Sequence, residues 1–263
     1  MQFDFSNKLA LITGGSRGIG KSVALTLAEQ GMNIAFCGRT VETLEATATE
    51  IRSRGVQAFP IQADVSRRDD IDTLVEKTLQ HSDRIDVLVN NAVTSTSARF
   101  DELTDDEFQY HIDVKLMAYI RVARKVLQTM ANNNSGRIVN VGGMTARIVA
   151  PLRMTNGVVN AGVANFTKQF ANYAAQYNVT VNCVHPGYTA TERVTQIFER
   201  EAQENNSSVE AVIKHRVSDI PLGKLIKPED IAASVLFFCS PLADMVTGQC
   251  IAVDGGSGEA INY

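Results

Sequence analysis

The chain predicts a doubly wound α/β domain, a seven-stranded parallel sheet with helices on both faces, and three observations carry that expectation. Short β-branched runs recur about every 20 to 50 residues along the whole chain, with helix-period stretches between them. A glycine-rich loop, Thr13-Gly14-Gly15-Ser16-Arg17-Gly18-Ile19-Gly20, joins the first run to the first helical pattern. No polar, Pro-rich or low-complexity linker interrupts the alternation, so the 263 residues read as one domain, 1–263.

The first strand, 9–12, is an unbroken apolar run of the kind a sheet buries on both faces. The glycines after it let the backbone turn sharply and approach a pyrophosphate, while the next helix, 18–30, aims its free N–H groups at the negative charge. Gly31 closes that helix. Strand, glycine loop and helix in this order mark a Rossmann-type dinucleotide site. Further strands are expected at 34–37, 58–61, 85–89, 138–141, 179–184 and 251–253. Pro60 has no N–H to give a neighbour, which puts the third strand at a sheet edge and agrees with a strand order of 3-2-1-4 onward. Helical patterns at 41–54, 68–80, 105–131, 154–176 and 229–239 supply the crossovers, and Thr104 with Glu107 forms a capping box. The polar stretch 191–215 breaks the rhythm beyond the carboxyl end of the sixth strand, where such folds bind ligands, and reads as a mobile lid.

Composition narrows the function classes. With 44% hydrophobic and 21% charged residues, the chain suits a globular protein with a large core. The net charge of −4 comes from 25 basic and 29 acidic residues scattered without a basic stripe, which argues against nucleic acid as a partner. Cys37, Cys183, Cys239 and Cys250 lie far apart and read as buried thiols of a reducing, cytoplasmic compartment, with no metal site expected. The first residues lack a signal-peptide pattern and no apolar run reaches ~18 residues, so no membrane partner is expected.

The end of the second strand decides between the two nicotinamide dinucleotides, by a carboxylate for ribose hydroxyls or a cation for a 2′-phosphate. Here it reads Cys37-Gly38-Arg39-Thr40, with no carboxylate. Arg39, with Arg17 on the other side, suits the phosphate, so NADP(H) is expected; the alternative is that both are surface arginines.

Asp64-Val65 follows the third strand, Asn90-Asn91-Ala92 the fourth, and Pro186-Gly187 with Thr189 and Thr191 the sixth. With these motifs and the glycine loop, the chain closely resembles the short-chain dehydrogenase/reductase family over essentially its full length. The resemblance implies that Gly14, Ser16, Arg17, Gly18, Ile19 and Gly20 cradle the cofactor and that Asp64 and Val65 flank its adenine. It also implies that Asn91 and Ala92 lie along the cofactor, and that Pro186, Gly187, Thr189 and Thr191 meet the nicotinamide end. Val93 stands where the family usually has glycine.

The family's reductases share an Asn, Ser, Tyr and Lys tetrad, and by register these positions fall on Lys115, Gly143, Asn156 and Asn160. Phe166-Thr167-Lys168 continues the usual helix and supports the register. None of the six tyrosines has a lysine four positions later. The resemblance implies that the tyrosine protonates the substrate, which an Asn156 amide cannot do at neutral pH. Losing a general acid costs about 10²–10⁴ in rate, roughly 3–5 kcal/mol. Replacing the lysine by Asn160 removes a charge-assisted contact to the cofactor, at about 1.5–3 kcal/mol.

Other residues offer substitutes. Lys115 is the candidate acid or electrostatic clamp; alternatively its ammonium snorkels to solvent or pairs with Asp113. Thr145 offers a hydroxyl near Gly143, and Thr94, Ser95 and Thr96 either line the pocket or are solvated. Tyr188 either presents a phenol to the nicotinamide or packs on the lid, and His185 reads as a core residue. Arg147 and Arg153 suit a carboxylate or phosphate, or pair on the surface. The leading expectation is an NADP(H)-binding oxidoreductase acting on a small organic substrate by a non-standard proton route. Its rivals are a catalytically inactive NADP(H)-binding scaffold or sensor and a non-redox isomerase or dehydratase. Helices 105–131 and 154–176 are apolar on more than one face, which reads as a shared interface or as burial against the sheet. The family resemblance implies a homotetramer or homodimer, with 248–263 closing a second contact.

Overall fold

The computed structural model describes residues 3–258. Seven strands form one parallel sheet: β1 (Leu9–Ile12), β2 (Asn33–Gly38), β3 (Ala58–Gln62), β4 (Val87–Asn90), β5 (Gly136–Val141), β6 (Val179–Pro186) and β7 (Cys250–Val253). Their order is β3-β2-β1-β4-β5-β6-β7, with Pro60 on the edge strand as its missing N–H requires. The crossover helices are α1 (Gly18–Ala28), α2 (Val41–Arg52), α3 (Arg68–His81), α4 (Asp105–His111), α5 (Ala118–Asn132), α6 (Met154–Ala174), α7 (Glu192–Glu204), α8 (Val209–Ser218) and α9 (Pro228–Cys239).

Side-chain alternation along the strands divides the core into two layers. Ala10 and Ile12 of β1 point to the side covered by α1, α2 and α9, where Leu27, Leu44, Ile51, Val235 and Phe238 pack. Leu9 and Leu11 point to the side covered by α3, α5 and α6, against Leu74, Val122, Val126 and Val163. Both faces of β1 are therefore dry, which is why its sequence carries no polar residue. Among the described residues, no helix is long and apolar enough to cross a membrane.

Three elements differ from expectation, each for a local reason. The fourth strand begins at Val87 rather than 85, and the Asp86 carboxylate takes the Leu9 N–H at 2.9 Å. The expected helix 105–131 is interrupted by a π-helical turn, Ile112–Met117, and the wider turn buries Val114 and Lys115 in succession. The stretch 191–215 is two helices, α7 capped by Thr191 and α8 capped by Ser208. They close on a small core of Phe198, Ala202 and Val212, which leaves most of their surface polar. The capping box of Thr104 and Glu107 is present, with bonds of 3.2 and 3.1 Å. The part of 248–263 from Glu259 onward lies outside the described residues.

Candidate active site

The carboxyl ends of β1, β4, β5 and β6 lie side by side along one edge of the parallel sheet, where such folds bind ligands in a cleft, and the glycine-loop end is built almost wholly from backbone. Gly14 adopts φ +65 and Gly18 φ +51, conformations that an L side chain strains to reach. A Cβ on Gly20 would collide with the Gly14 carbonyl and the Asn91 amide, so the α1 helix can approach the loop only without a side chain there. Asn91 locks the same loop by donating its amide to Thr13 O (3.1 Å) and Gly14 O (2.9 Å). The Thr13 hydroxyl accepts the N–H groups of Asn91 and Ala92. Arg17 at the N-cap of α1 makes no side-chain capping bond, so the first-turn amides have no side-chain partner there and fit a phosphate group.

The other residues expected at the cofactor are held by local contacts. Asp64 Oδ1 accepts the Ser66 N–H and hydroxyl, which fixes the turn after β3, and Val65 is buried beside it. Ser16 lies against Gly38, and its carbonyl accepts the Thr47 hydroxyl at 3.1 Å. Gly187 donates to Val253 O, Thr189 is buried and donates to Gly187 O, and Thr191 faces Gly18, so the 186–191 loop roofs the start of α1. Exposed Arg39 reaches across to the Tyr110 hydroxyl at 3.3 Å, while Arg17 is exposed and Ile19 half-buried at the start of α1.

The far end of the cleft is made of side chains. Lys115, only 3% exposed, is carried inward by the π-turn and donates to Gly142 O at 2.8 Å. Asp113 is tied to Arg121 at 3.1 Å, so the alternatives of a snorkelling Lys115 or a Lys115–Asp113 pair are both corrected: the π-turn points the ammonium into the protein. Burial pulls the Lys115 pKa down to about 7, and nearby Arg193 adds to the effect. The ammonium also lies 6.0 Å from the centre of the Tyr119 ring. That phenol is fully buried, donates to Val141 O at 3.0 Å and has its pKa raised by burial, so its proton is committed to the interior.

Gly143 lies directly against Asn160, whose amide donates to the Thr145 hydroxyl at 2.8 Å; Asn160 Oδ1 is buried without a partner. Asn156 is buried at the opposite wall, contacting the Ser95 hydroxyl (3.3 Å) and Thr94 O (3.4 Å). Thr96 bonds His111 Nε2 at 2.9 Å, and burial holds that imidazole below its usual pKa. Thr94, Ser95 and Thr96 are thus half-buried, the first two against Asn156 and the third against His111.

Other candidates are placed elsewhere. Tyr188 packs on the two-helix segment, 6.1 Å from Phe198 and under the Arg216 guanidinium at 5.6 Å. His185 is fully buried, as expected, and accepts the Gly143 N–H at 3.0 Å. Arg147 is corrected: it donates to Cys250 O at 2.6 Å and is held by the edge strand.

Two features were missed in the sequence. Cys183 and Cys250, 67 positions apart, are register partners on β6 and β7, and their sulfurs lie with a His185 ring nitrogen within 4.8 Å of one another. His185 Nδ1 accepts from Gly143, which turns Nε2 toward the Cys183 sulfur at 3.9 Å. Cys183 is pushed up and Cys250 pulled down by the bond between them, with His185 and Arg147 favouring the Cys250 thiolate. The second feature is Arg193 at the start of α7, which donates to Val93 O at 3.3 Å across the cleft.

A family model described as Enoyl-(Acyl carrier protein) reductase matches residues 14–258. The chain belongs to the short-chain dehydrogenase/reductase family. Among curated members, it is 34% identical over 251 residues to the 3-oxoacyl-[acyl-carrier-protein] reductase of Synechocystis sp., covering 95% of this chain and 96% of that one. It is 31% identical over 258 residues to the NADPH-dependent reductase BacG of Bacillus subtilis, covering 97% of this chain and all of that one. Solved members include L-sorbose reductase from Gluconobacter frateurii complexed with NADPH and L-sorbose, at a TM-score of 0.96 and 27% identity over 99% of this chain and 100% of that chain. A variant actinorhodin polyketide ketoreductase with NADPH superposes at a TM-score of 0.93 with 30% identity, over 99% of this chain and 100% of that chain.

Proposed function

We propose that this short-chain dehydrogenase/reductase is an NADPH-dependent reductase of small organic substrates in which Lys115, rather than a tyrosine, delivers the proton. Its favoured substrates are electron-poor carbon–carbon double bonds conjugated to a carbonyl. The observation that carries this reading is the Lys115 ammonium: buried, held on Gly142 O, without a salt bridge among the described residues and with its pKa near 7. A group with that pKa holds and releases a proton at physiological pH.

When bound, NADPH supplies a hydride. In this reading Gly14, Ser16, Gly18, Ile19 and Gly20 hold its diphosphate, and Arg39 leaves Tyr110 for the 2′-phosphate with Arg17 opposite. Asp64 and Val65 flank the adenine, Asn91 and Ala92 border the sugar, and Pro186, Gly187, Thr189 and Thr191 meet the nicotinamide end. The NADPH named for BacG, the ketoreductase and the sorbose reductase supports the choice of cofactor.

Gly143, Asn156 and Asn160 stand in this reading at the family's Ser, Tyr and Lys positions, so no phenol protonates a developing alkoxide. An enone makes a lesser demand, because the electron pair displaced onto its oxygen forms an enolate, far less basic than an alkoxide. Lys115 Nζ gives that enolate its proton and regains one from water. The family description as an enoyl reductase supports a double bond as the target. Helices α7 and α8 act as the lid, with residues 191–215 opening to admit substrate.

The assay is NADPH oxidation at 340 nm with 2-cyclohexenone and with cyclohexanone. The reading requires turnover of the enone well above that of the ketone, and a loss of about 10²–10⁴ in Lys115→Met with NADPH affinity retained. NADPH binding with no oxidation of either compound would instead make the chain a cofactor-binding scaffold or sensor. The open apolar groove of about 630 Å³ between α5 and α6, lined by Ile120, Leu127, Phe166 and Phe170, supports a homodimer or homotetramer. Sedimentation at micromolar concentration tests that assembly.

A further inference from the structure

We propose that the cleft takes an anionic substrate, a small carboxylate gripped by Arg153 and Arg193 at its rim. The proposal rests on the reductase reading and adds the chemical class of its substrate.

Arg193 is fastened to one wall, and the loop that carries Arg153 packs against the same wall. Arg193 is tied to that wall through its bond to Val93 O at 3.3 Å. The Ala98 N–H donates to Leu152 O at 3.0 Å, which brings the loop carrying Arg153 against the same 93–98 segment. Asn156, three residues after Arg153, contacts Thr94 and Ser95 of that segment. Arg193 and the loop carrying Arg153 therefore meet at the 93–98 segment, the wall that the proposal gives to the substrate.

Several cations gather around them. The protein packed about Arg193 lowers its pKa although the side chain stays open to solvent, and Arg153 and Arg39 lower it further. Arg193 in turn contributes to the depression at Lys115 and at His111. Among the described residues, Arg39, Arg153, Arg193 and Lys115 form no salt bridge. Asp113 pairs with Arg121, and Glu107, whose charge opposes that of Arg193 at His111, caps α4. Converging cations without a carboxylate repel one another unless an anion joins them. The cofactor's 2′-phosphate accounts for Arg39, which leaves Arg153 and Arg193 for the substrate. Their planar forks match a carboxylate.

The test compares trans-4-oxopent-2-enoate with its methyl ester, which share one enone and differ in charge. At low salt the acid is expected to exceed the ester at least tenfold in kcat/KM, with the gap narrowing as NaCl is added. Arg153→Gln with Arg193→Gln is expected to bring the two within about twofold of each other, with NADPH affinity as the check on folding. Equal turnover of acid and ester, or an acid preference that survives the double substitution, overturns the anion site and leaves the reductase reading standing. If neither compound oxidises NADPH, the reductase reading fails, and the anion site is judged by binding to the NADP⁺-loaded protein. There the acid must raise Tm in the wild type and not in the double variant; no shift in the wild type overturns it.

Discussion

At the nucleotide end of the cleft the protein presents main chain: Gly14 and Gly18 at positive φ, the uncapped first turn of α1, and Asn91 bound to two carbonyls of the loop. At the substrate end it presents side chains drawn from separate segments: Lys115 from the π-turn, Thr145 after β5, Asn156 and Asn160 from α6, and Arg193 from α7. The first arrangement leaves little room for change, because a Cβ at Gly20 already meets two neighbours. The second depends on side chains carried by continuous elements, with Asn156 and Asn160 on the unbroken helix α6 and Gly143 just beyond β5. Under the proposed function, the contrast is between a cofactor cradle fixed by main chain and a proton donor supplied by side chains that can be exchanged.

The contrast breaks most sharply at Gly20. Gly20→Val drives a side chain into the Gly14 carbonyl and should weaken NADPH binding at least 100-fold by calorimetry, more than about 2.7 kcal/mol. Binding within threefold of wild type would show that the loop is not set by backbone contact. A smaller effect sharpens the cofactor assignment: Arg39→Ala should cut the preference for NADPH over NADH about 10- to 100-fold, the worth of one or two charge-assisted hydrogen bonds. An unchanged ratio would return Arg39 to the surface and its Tyr110 contact.

The smallest effect concerns stability. The Lys115 pKa is depressed in the folded protein, so between about 7 and the ordinary lysine value the unfolded chain holds the extra proton. Stability therefore rises with pH across that window, and the buried charge is most costly below it. Lys115→Met should raise Tm by a few degrees at pH 6, equivalent to about 1–3 kcal/mol, and by less at pH 10. A lower Tm at pH 6 would mean that the bond to Gly142 O outweighs the cost of burying the charge.

The same division explains what was legible in the sequence. β1, the glycine loop and the edge position of Pro60 were readable because each is governed by local stereochemistry or by alternation along one strand. Lys115 could be singled out as an unusual cation, but not its direction, since the π-turn that buries it leaves no mark in the apolar periodicity of 105–131. The 191–215 helices were hidden because only Phe198, Ala202 and Val212 are buried there. Arg193 and the Cys183–Cys250 pair depend on contacts across 100 and 67 positions, which only the folded sheet brings together. The proposed proton route lies in this second class, and side-chain chemistry rather than motif must decide it.

The most direct measurement is the pH dependence of single-turnover NADPH oxidation with 2-cyclohexenone, in wild type and Lys115→Met at saturating cofactor. With Lys115 as the acid, the wild-type rate is level below a pKa near 7 and falls about tenfold per pH unit above it, and the variant is slow and loses that limb. A variant that keeps both the rate and the wild-type profile would contradict the account and place the proton donor elsewhere.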